Sequence, residues 1–174
     1  MKIMVISDIH GGVKYLQMAL ERYKEEKAER LLILGDFTSY FNSSTSMEIA
    51  EMLNEMSDQI CAVRGNCDSE SFEATLNFGL MDIRHINLNG KVVTLTHGHL
   101  YNRYNLPEYY GDIFLSGHIH YGIIQKENGR IFANPGSITK PRNGSEHSYL
   151  TIDEEKIKLK NLDGIILLEE KIGD

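Results

Sequence analysis

The sequence predicts an α/β fold whose first third winds βαβαβ and whose remainder is mainly β, on three observations. First, apolar runs at residues 3–6, 31–34 and 60–63 end abruptly in polar or glycine residues. Runs of this length without alternation suit strands covered on both faces. Second, Val13, Leu16, Leu20 and Tyr23 recur at helical spacing within residues 13–27, between the first two runs. Third, from residue 92 onward the apolar segments follow one another with little room for helix.

A second helix is expected from near Thr45, where Thr45 and Glu48 have capping-box spacing and Ile49, Leu53 and Met56 form the face to be buried. Residues 69–86 show no regular period. Strands are expected at 92–96, 113–115, 121–126, 130–133 and 149–152. Asn128-Gly129 marks a hairpin, because both central residues of a type I′ turn need positive φ. Residues 156–162 alternate as KIKLKNL, the pattern of a strand with one wet face. Neither an internal repeat nor a Pro-rich linker divides the chain, so residues 1–174 are expected to form a single domain.

Composition narrows the function. Hydrophobic residues make up 41% and charged residues 25%, values ordinary for a folded domain. The formal charge of −7 argues against a broad basic surface, so stable nucleic-acid binding is not expected. The start MKIMVISD reaches Asp8 and His10 before any signal-like or membrane-spanning run develops, which points to the cytoplasm and away from the membrane. Cys61 and Cys67 are too few for a disulfide framework, and Cys61 alternates into an apolar strand as a small hydrophobe.

Five short segments are rich in metal-capable side chains: Asp8-Ile9-His10, Gly35-Asp36, Gly65-Asn66-Cys67-Asp68, His97-Gly98-His99 and Gly117-His118-Ile119-His120. Alone, each has an ordinary explanation as a cap, a turn or a strand edge. Together they stand at the ends of predicted strands, where ligands bind in α/β sheets. They hold five of the seven histidines, a concentration that a stable core does not need. Carboxylate, imidazole and amide ligands suit Mn²⁺, Fe²⁺, Ni²⁺ or Zn²⁺, and a carboxylate such as Asp36 can bridge two ions. Two ions a few ångströms apart can lower the pKa of a shared water and neutralise charge that develops on a substrate. Arg64 and Arg142 are candidates for holding an anionic oxygen of a substrate, or are structural arginines at the surface. His85 and His147 lie outside the segments.

The ordered series DIH, GD, GNCD, THGH and SGHIH resembles the calcineurin-like metallophosphoesterase superfamily, and VRGNCDSE, LTHGHLY and ANPGSI resemble its small bacterial YfcE-type phosphodiesterases. That resemblance implies a four-layer αββα sandwich with two facing mixed sheets. It implies a metal-dependent phosphodiesterase acting on a small phosphoester with two divalent ions, Mn²⁺ the expected one. It assigns one metal to Asp8, His10 and His120, the other to Asn66, His97 and His118, and the bridge to Asp36. His99 becomes a candidate for contacting substrate phosphate, and Asn134-Pro135-Gly136-Ser137 a turn behind the ligands. Many members carry His where this chain has Cys67, so the leaving-group acid is open; the YfcE-type subgroup shares the Cys. The loop 37–45 looks shorter than the subgroup's. The alternatives are a non-catalytic metal-binding scaffold resembling the small retromer subunit, and a metal-dependent nuclease. A homo-oligomer is compatible with the sequence, which fixes no symmetry.

Overall fold

The computed structural model describes residues 1–39 and 45–173. Its first sheet joins β1 (Ile3–Ile6), β2 (Arg30–Ile33), β3 (Ile60–Ala62), β9 (Ser148–Ile152), β10 (Lys156–Asn161) and β11 (Ile166–Lys171) in the order β11-β10-β9-β1-β2-β3. Strands β1, β2 and β3 run parallel, while β9, β10 and β11 pair antiparallel. The second sheet joins β4 (Ile83–Leu88), β5 (Lys91–Thr96), β6 (Ile113–Ser116), β7 (Gly122–Glu127) and β8 (Arg130–Pro135) in the order β4-β5-β6-β8-β7. Here β5, β6 and β8 are parallel and the outer strands antiparallel, so both sheets are mixed.

The unbroken apolar runs now have their cause. Met4 and Ile6 of β1 face helices α1 (Val13–Glu25) and α2 (Ser46–Asn54), packing with Leu16, Tyr23, Ile49 and Leu53. Ile3 and Val5 face the other sheet and pack with Val93, Leu95, Leu115 and Ala133. All four residues of β1 are 0% exposed, and burying each such side chain contributes roughly 1.5–3 kcal/mol. Strand β10 alternates as its KIKLKNL pattern demands, with Ile157 and Leu159 buried.

The two facing mixed sheets of the expected sandwich are present, and among the described residues the segment 98–112 packs on the outer face of the second sheet. Thr94, Phe114 and Phe132 point outward, opposite in parity to the neighbours that fill the inter-sheet core. Gly111 N donates to Thr94 Oγ1 at 2.9 Å, and the Tyr110 ring lies 6.2 Å from those of Phe114 and Phe132. Residues 98–112 carry two Gly, Pro107 and two Asn, too many helix breakers to form a helix there.

Other expectations need adjustment. Helix α2 begins after Thr45, yet Thr45 has helical φ/ψ (−96°, −8°) and makes no side-chain cap bond, so no capping box forms. Met56 packs on the core from beyond the helix end. The stretch 69–86 contains α3 (Glu70–Glu73), capped by Ser69, and leads into β4. β11 is a further strand, at the edge of the first sheet. Asn128 (φ 51°) and Gly129 (φ 76°) turn the β7-β8 hairpin as expected. Of the loop 37–45, residues 40–44 lie outside the described residues. No helix among the described residues is long and apolar enough to cross a membrane.

Candidate metal centre

Asp8, Asp36, Asn66, His97 and His118 stand just past the carboxyl ends of β1, β2, β3, β5 and β6. Because these strands are parallel within their sheets and the sheets face each other, all five loops open into one crevice. Among the described residues, five of the nine non-glycine residues with positive φ are site residues: Asp8 (56°), His10 (46°), Asp36 (55°), His118 (71°) and His120 (64°). Each left-handed residue costs on the order of 1 kcal/mol or more. The turns are held in that state by bonds between loops: Asp8 N to Gly35 O at 3.1 Å, His10 N to Asp36 O at 2.9 Å and Gly117 N to His97 O at 2.7 Å. Gly35 and Gly65 let two of the loops touch. A Cβ on Gly65 would collide with the backbone N and Oδ1 of Asp36.

The side chains form two sets. Asp8 Oδ1 lies 3.1 Å from His120 Nε2 and 3.6 Å from His10 Nε2. Asn66 Oδ1 lies 3.0 Å from His97 Nε2, and the His97 and His118 rings meet edge-on at 5.1 Å. Asp36 stands between the sets, its Oδ2 3.5 Å from His10 Nε2 and 3.4 Å from His97 Nε2. Donor atoms of Asp8, His10 and His120 lie within 4.8 Å of one another, as do those of Asp36, His97 and His118.

This donor set fits cations. The carbonyls of Leu34 and Lys140 can only accept, so His97 and His120 each carry a proton on Nδ1, at 2.6 and 2.8 Å, and aim Nε2 into the crevice. Asp8 is fully buried, and its Oδ1 has no hydrogen-bond donor. Its other oxygen is filled by Ser7 Oγ (2.7 Å) and His118 N (3.0 Å). A buried, bare carboxylate oxygen facing two imidazole nitrogens is a place where a positive charge belongs.

The electrostatics agree. Burial alone would raise Asp8, but His10, His120, His97 and Ser7 outweigh it and hold the carboxyl well below the usual range. Asp36 is likewise lowered against its burial, chiefly by His97. Burial would lower His97, but Asp36 and Asp8 outweigh it and raise its pKa, so these carboxylates favour positive charge there. His118 and His99 are lowered, by burial and then by the neighbouring imidazoles, which leaves them neutral.

Not every sequence candidate turns inward. Cys67 does: its Sγ lies within 4.8 Å of donor atoms of His10 and Asp36, and its N–H donates to Asp36 Oδ1 at 2.8 Å. His99 packs its ring 5.3 Å from that of His97. Arg142 is exposed at the rim, its N–H bonded to His120 O at 3.0 Å. Arg64 instead pairs with Glu73 (2.5 Å) and Asp82 (3.4 Å). His85 and His147 lie elsewhere, against Tyr109 and Tyr15.

Asp68 organises the site without having been singled out. Its Oδ2 accepts from Asp36 N (2.9 Å) and Gly65 N (2.8 Å), and its Oδ1 from Phe37 N (2.8 Å). The signal was its place in GNCD, but the residue type alone does not distinguish a ligand from a brace. Ser137 Oγ donates to Asp8 O at 2.7 Å, and Asn134 Nδ2 to Gly117 O at 2.7 Å, so the NPGS segment, the end of β8 and the two residues after it rather than a separate turn, packs behind the ligand loops.

Residues 1–156 match the model of the calcineurin-like phosphoesterase superfamily domain. The chain belongs to that superfamily. The membership makes it a metal-dependent phosphoric ester hydrolase by class. It is 34% identical over 167 residues to phosphodiesterase YfcE of Escherichia coli K12, covering 91% of each chain. The solved structure of YfcE, a phosphoesterase from E. coli, superposes with a TM-score of 0.91 at 32% identity, covering 99% of this chain and 100% of that one. Vacuolar protein sorting 29 from Cryptosporidium parvum superposes with a TM-score of 0.74 at 20% identity, covering 99% and 98%, a likeness of fold alone.

Proposed function

We propose that residues 1–174 form one cytoplasmic metallophosphoesterase domain that holds two divalent ions and hydrolyses a small phosphodiester. The observation that carries the reading is Asp36, a single buried carboxylate whose Oδ2 lies between His10 Nε2 of one donor set (3.5 Å) and His97 Nε2 of the other (3.4 Å). In this reading Asp8, His10 and His120 hold one ion, Asn66, His97 and His118 the other, and Asp36 both. Mn²⁺ is the expected ion, with Ni²⁺, Fe²⁺ or Zn²⁺ compatible with the same donors. Bound there, the ions supply Lewis acidity and a water acidic enough to be ionised near neutral pH.

The chain's own residues do the positioning. The Leu34 and Lys140 carbonyls fix the tautomers of His97 and His120, keeping Nε2 available. The inter-loop bonds hold the strained turns, so the donors need little rearrangement when charge develops. His99, neutral beside His97 and His118, can offer an N–H to a phosphate oxygen, and Arg142 can reach one from the rim. Arg64, held by Glu73 and Asp82, is suited to bracing the Asn66 loop. Cys67 beside Asp36 is the remaining candidate for the leaving group.

The test is turnover of matched phosphodiester and phosphomonoester substrates by Mn²⁺-loaded protein, with Asp8→Asn as the control. Preferential diester hydrolysis that Asp8→Asn abolishes supports the reading. Tight metal binding with no hydrolysis of any phosphoester would favour the scaffold instead.

A further inference from the structure

A cavity of about 270 Å³ opens on the outer face of the second sheet, and the chemistry above makes no use of it. Phe114 of β6 and Phe132 of β8 form its floor, with ring centroids 5.9 Å apart. Ile119, Tyr121 and Ile123 line it further, and Tyr104 stands exposed at its edge. Its upper end is built by Gly98, Gly117 and His118, so it is continuous with the candidate metal centre.

The turn that carries Tyr104 is held by hydrogen bonds. Asn102 and Asn105 exchange backbone hydrogen bonds at 3.0 Å, and Asn102 Oδ1 accepts from Tyr104 N at 2.9 Å. The turn leaves Tyr104 88% exposed, with the Arg103 guanidinium 5.1 Å from its ring centroid. An exposed aromatic ring at the edge of a cavity lined by further aromatic side chains gains contact area from a flat ring placed against it. The charge at this rim is already balanced, because Arg103 pairs with Glu127 at 2.5 Å. The cavity therefore suits a neutral ring, while the phosphate stays at the metal end. Ser116 and Gln125 add a hydroxyl and an amide for polar ring edges.

We infer that this cavity seats a flat ring, aryl or nucleobase, esterified to the phosphorus held at the metal centre. The inference rests on the phosphodiesterase reading for its orientation. Binding of methyl-, cyclohexyl- and phenylphosphonate and of adenosine 5′-monophosphate to Zn²⁺-loaded protein, measured by calorimetry, tests it. Phenylphosphonate should bind about tenfold more tightly than the methyl and cyclohexyl compounds, the size of one stacked ring. Tyr104→Ala should shrink that ratio severalfold, and Ile123→Trp, which fills the cavity, should erase it. In metal-free protein the Ile119 and Ile123 methyl resonances should shift with phenylphosphonate but not with methylphosphonate. The tighter of the phenyl and adenosine compounds identifies the ring class. Equal affinities for methyl and phenyl, or a preference that survives both substitutions, would overturn the inference. Ring preference without diester turnover would leave the cavity assignment standing and remove the hydrolytic reading; turnover without ring preference would do the reverse.

Discussion

Replacing Asp68 by Ala removes the acceptor for three backbone N–H groups at once, those of Asp36, Gly65 and Phe37. An orphaned buried donor costs about 1–3 kcal/mol, and water can reach part of this crevice, so the sum is about 4 kcal/mol. For a domain of this size that corresponds to a fall in Tm of roughly 10 °C. Asp68→Asn is a graded control. Its carbonyl can take the place of Oδ2 and keep the bonds from Asp36 and Gly65, leaving only the Phe37 N–H facing an amide NH₂. It should cost about half as much. Urea and thermal unfolding of the metal-free proteins, followed by circular dichroism, measures both. A loss below about 1 kcal/mol for Asp68→Ala, within the ordinary range for surface substitutions, would refute the bracing role.

Three other predictions concern different parts of the molecule. Glu26 accepts from Lys2 and Lys160 at 2.6 Å each and from Tyr149 at 2.9 Å. Burial would raise its pKa, but these donors lower it from an ordinary 4.5 to about 2. A depressed carboxyl contributes stability that is complete above the ordinary value and lost as pH falls through the folded one, here about 3 kcal/mol between pH 4.5 and 2. Glu26→Gln should flatten that part of the stability–pH curve; a curve parallel to wild type would contradict it. At saturating metal, Asp36→Asn should lose more turnover than His10→Ala, because a bridging carboxylate screens two ions from each other, and equal mild losses would argue against a bridge. A thiol beside two cations favours its anion and is a poor acid. Accordingly kcat/KM should fall steeply as the leaving-group pKa of the diester rises, and Cys67→His should soften the dependence. A flat wild-type series would mean that Cys67 or His99 already supplies the proton.

Much of the architecture was legible because both faces of the central strands are buried: 3–6 and 31–34 read as unbroken apolar runs for that reason. β4 was missed because its apolar alternation emerges only at Ile86 and Leu88, after Arg84 and His85. β11, ILLEEK, shows no period of two; its partner β10 holds it, with Lys156 and Glu169 paired across the ladder at 2.8 Å. At the site, which polar residues the fold gathers was legible and their posture was not. Left-handed Asp and His are unfavourable locally and persist through bonds from distant loops, such as Ser137 Oγ on Asp8 O, a separation of 129 residues. Arg64 shows the converse: its position beside Gly65 left a phosphate contact and a structural role both open, and Glu73 and Asp82, the partners of its guanidinium, are not marked by any local motif.

The most direct test of the central claim is the number of ions bound per chain, by elemental analysis of Mn²⁺-loaded protein after removal of free metal. The account predicts two per chain for wild type, one for Asp8→Asn and fewer than one for Asp36→Ala. A ceiling of one ion per chain in wild type, with full diester turnover, would contradict it.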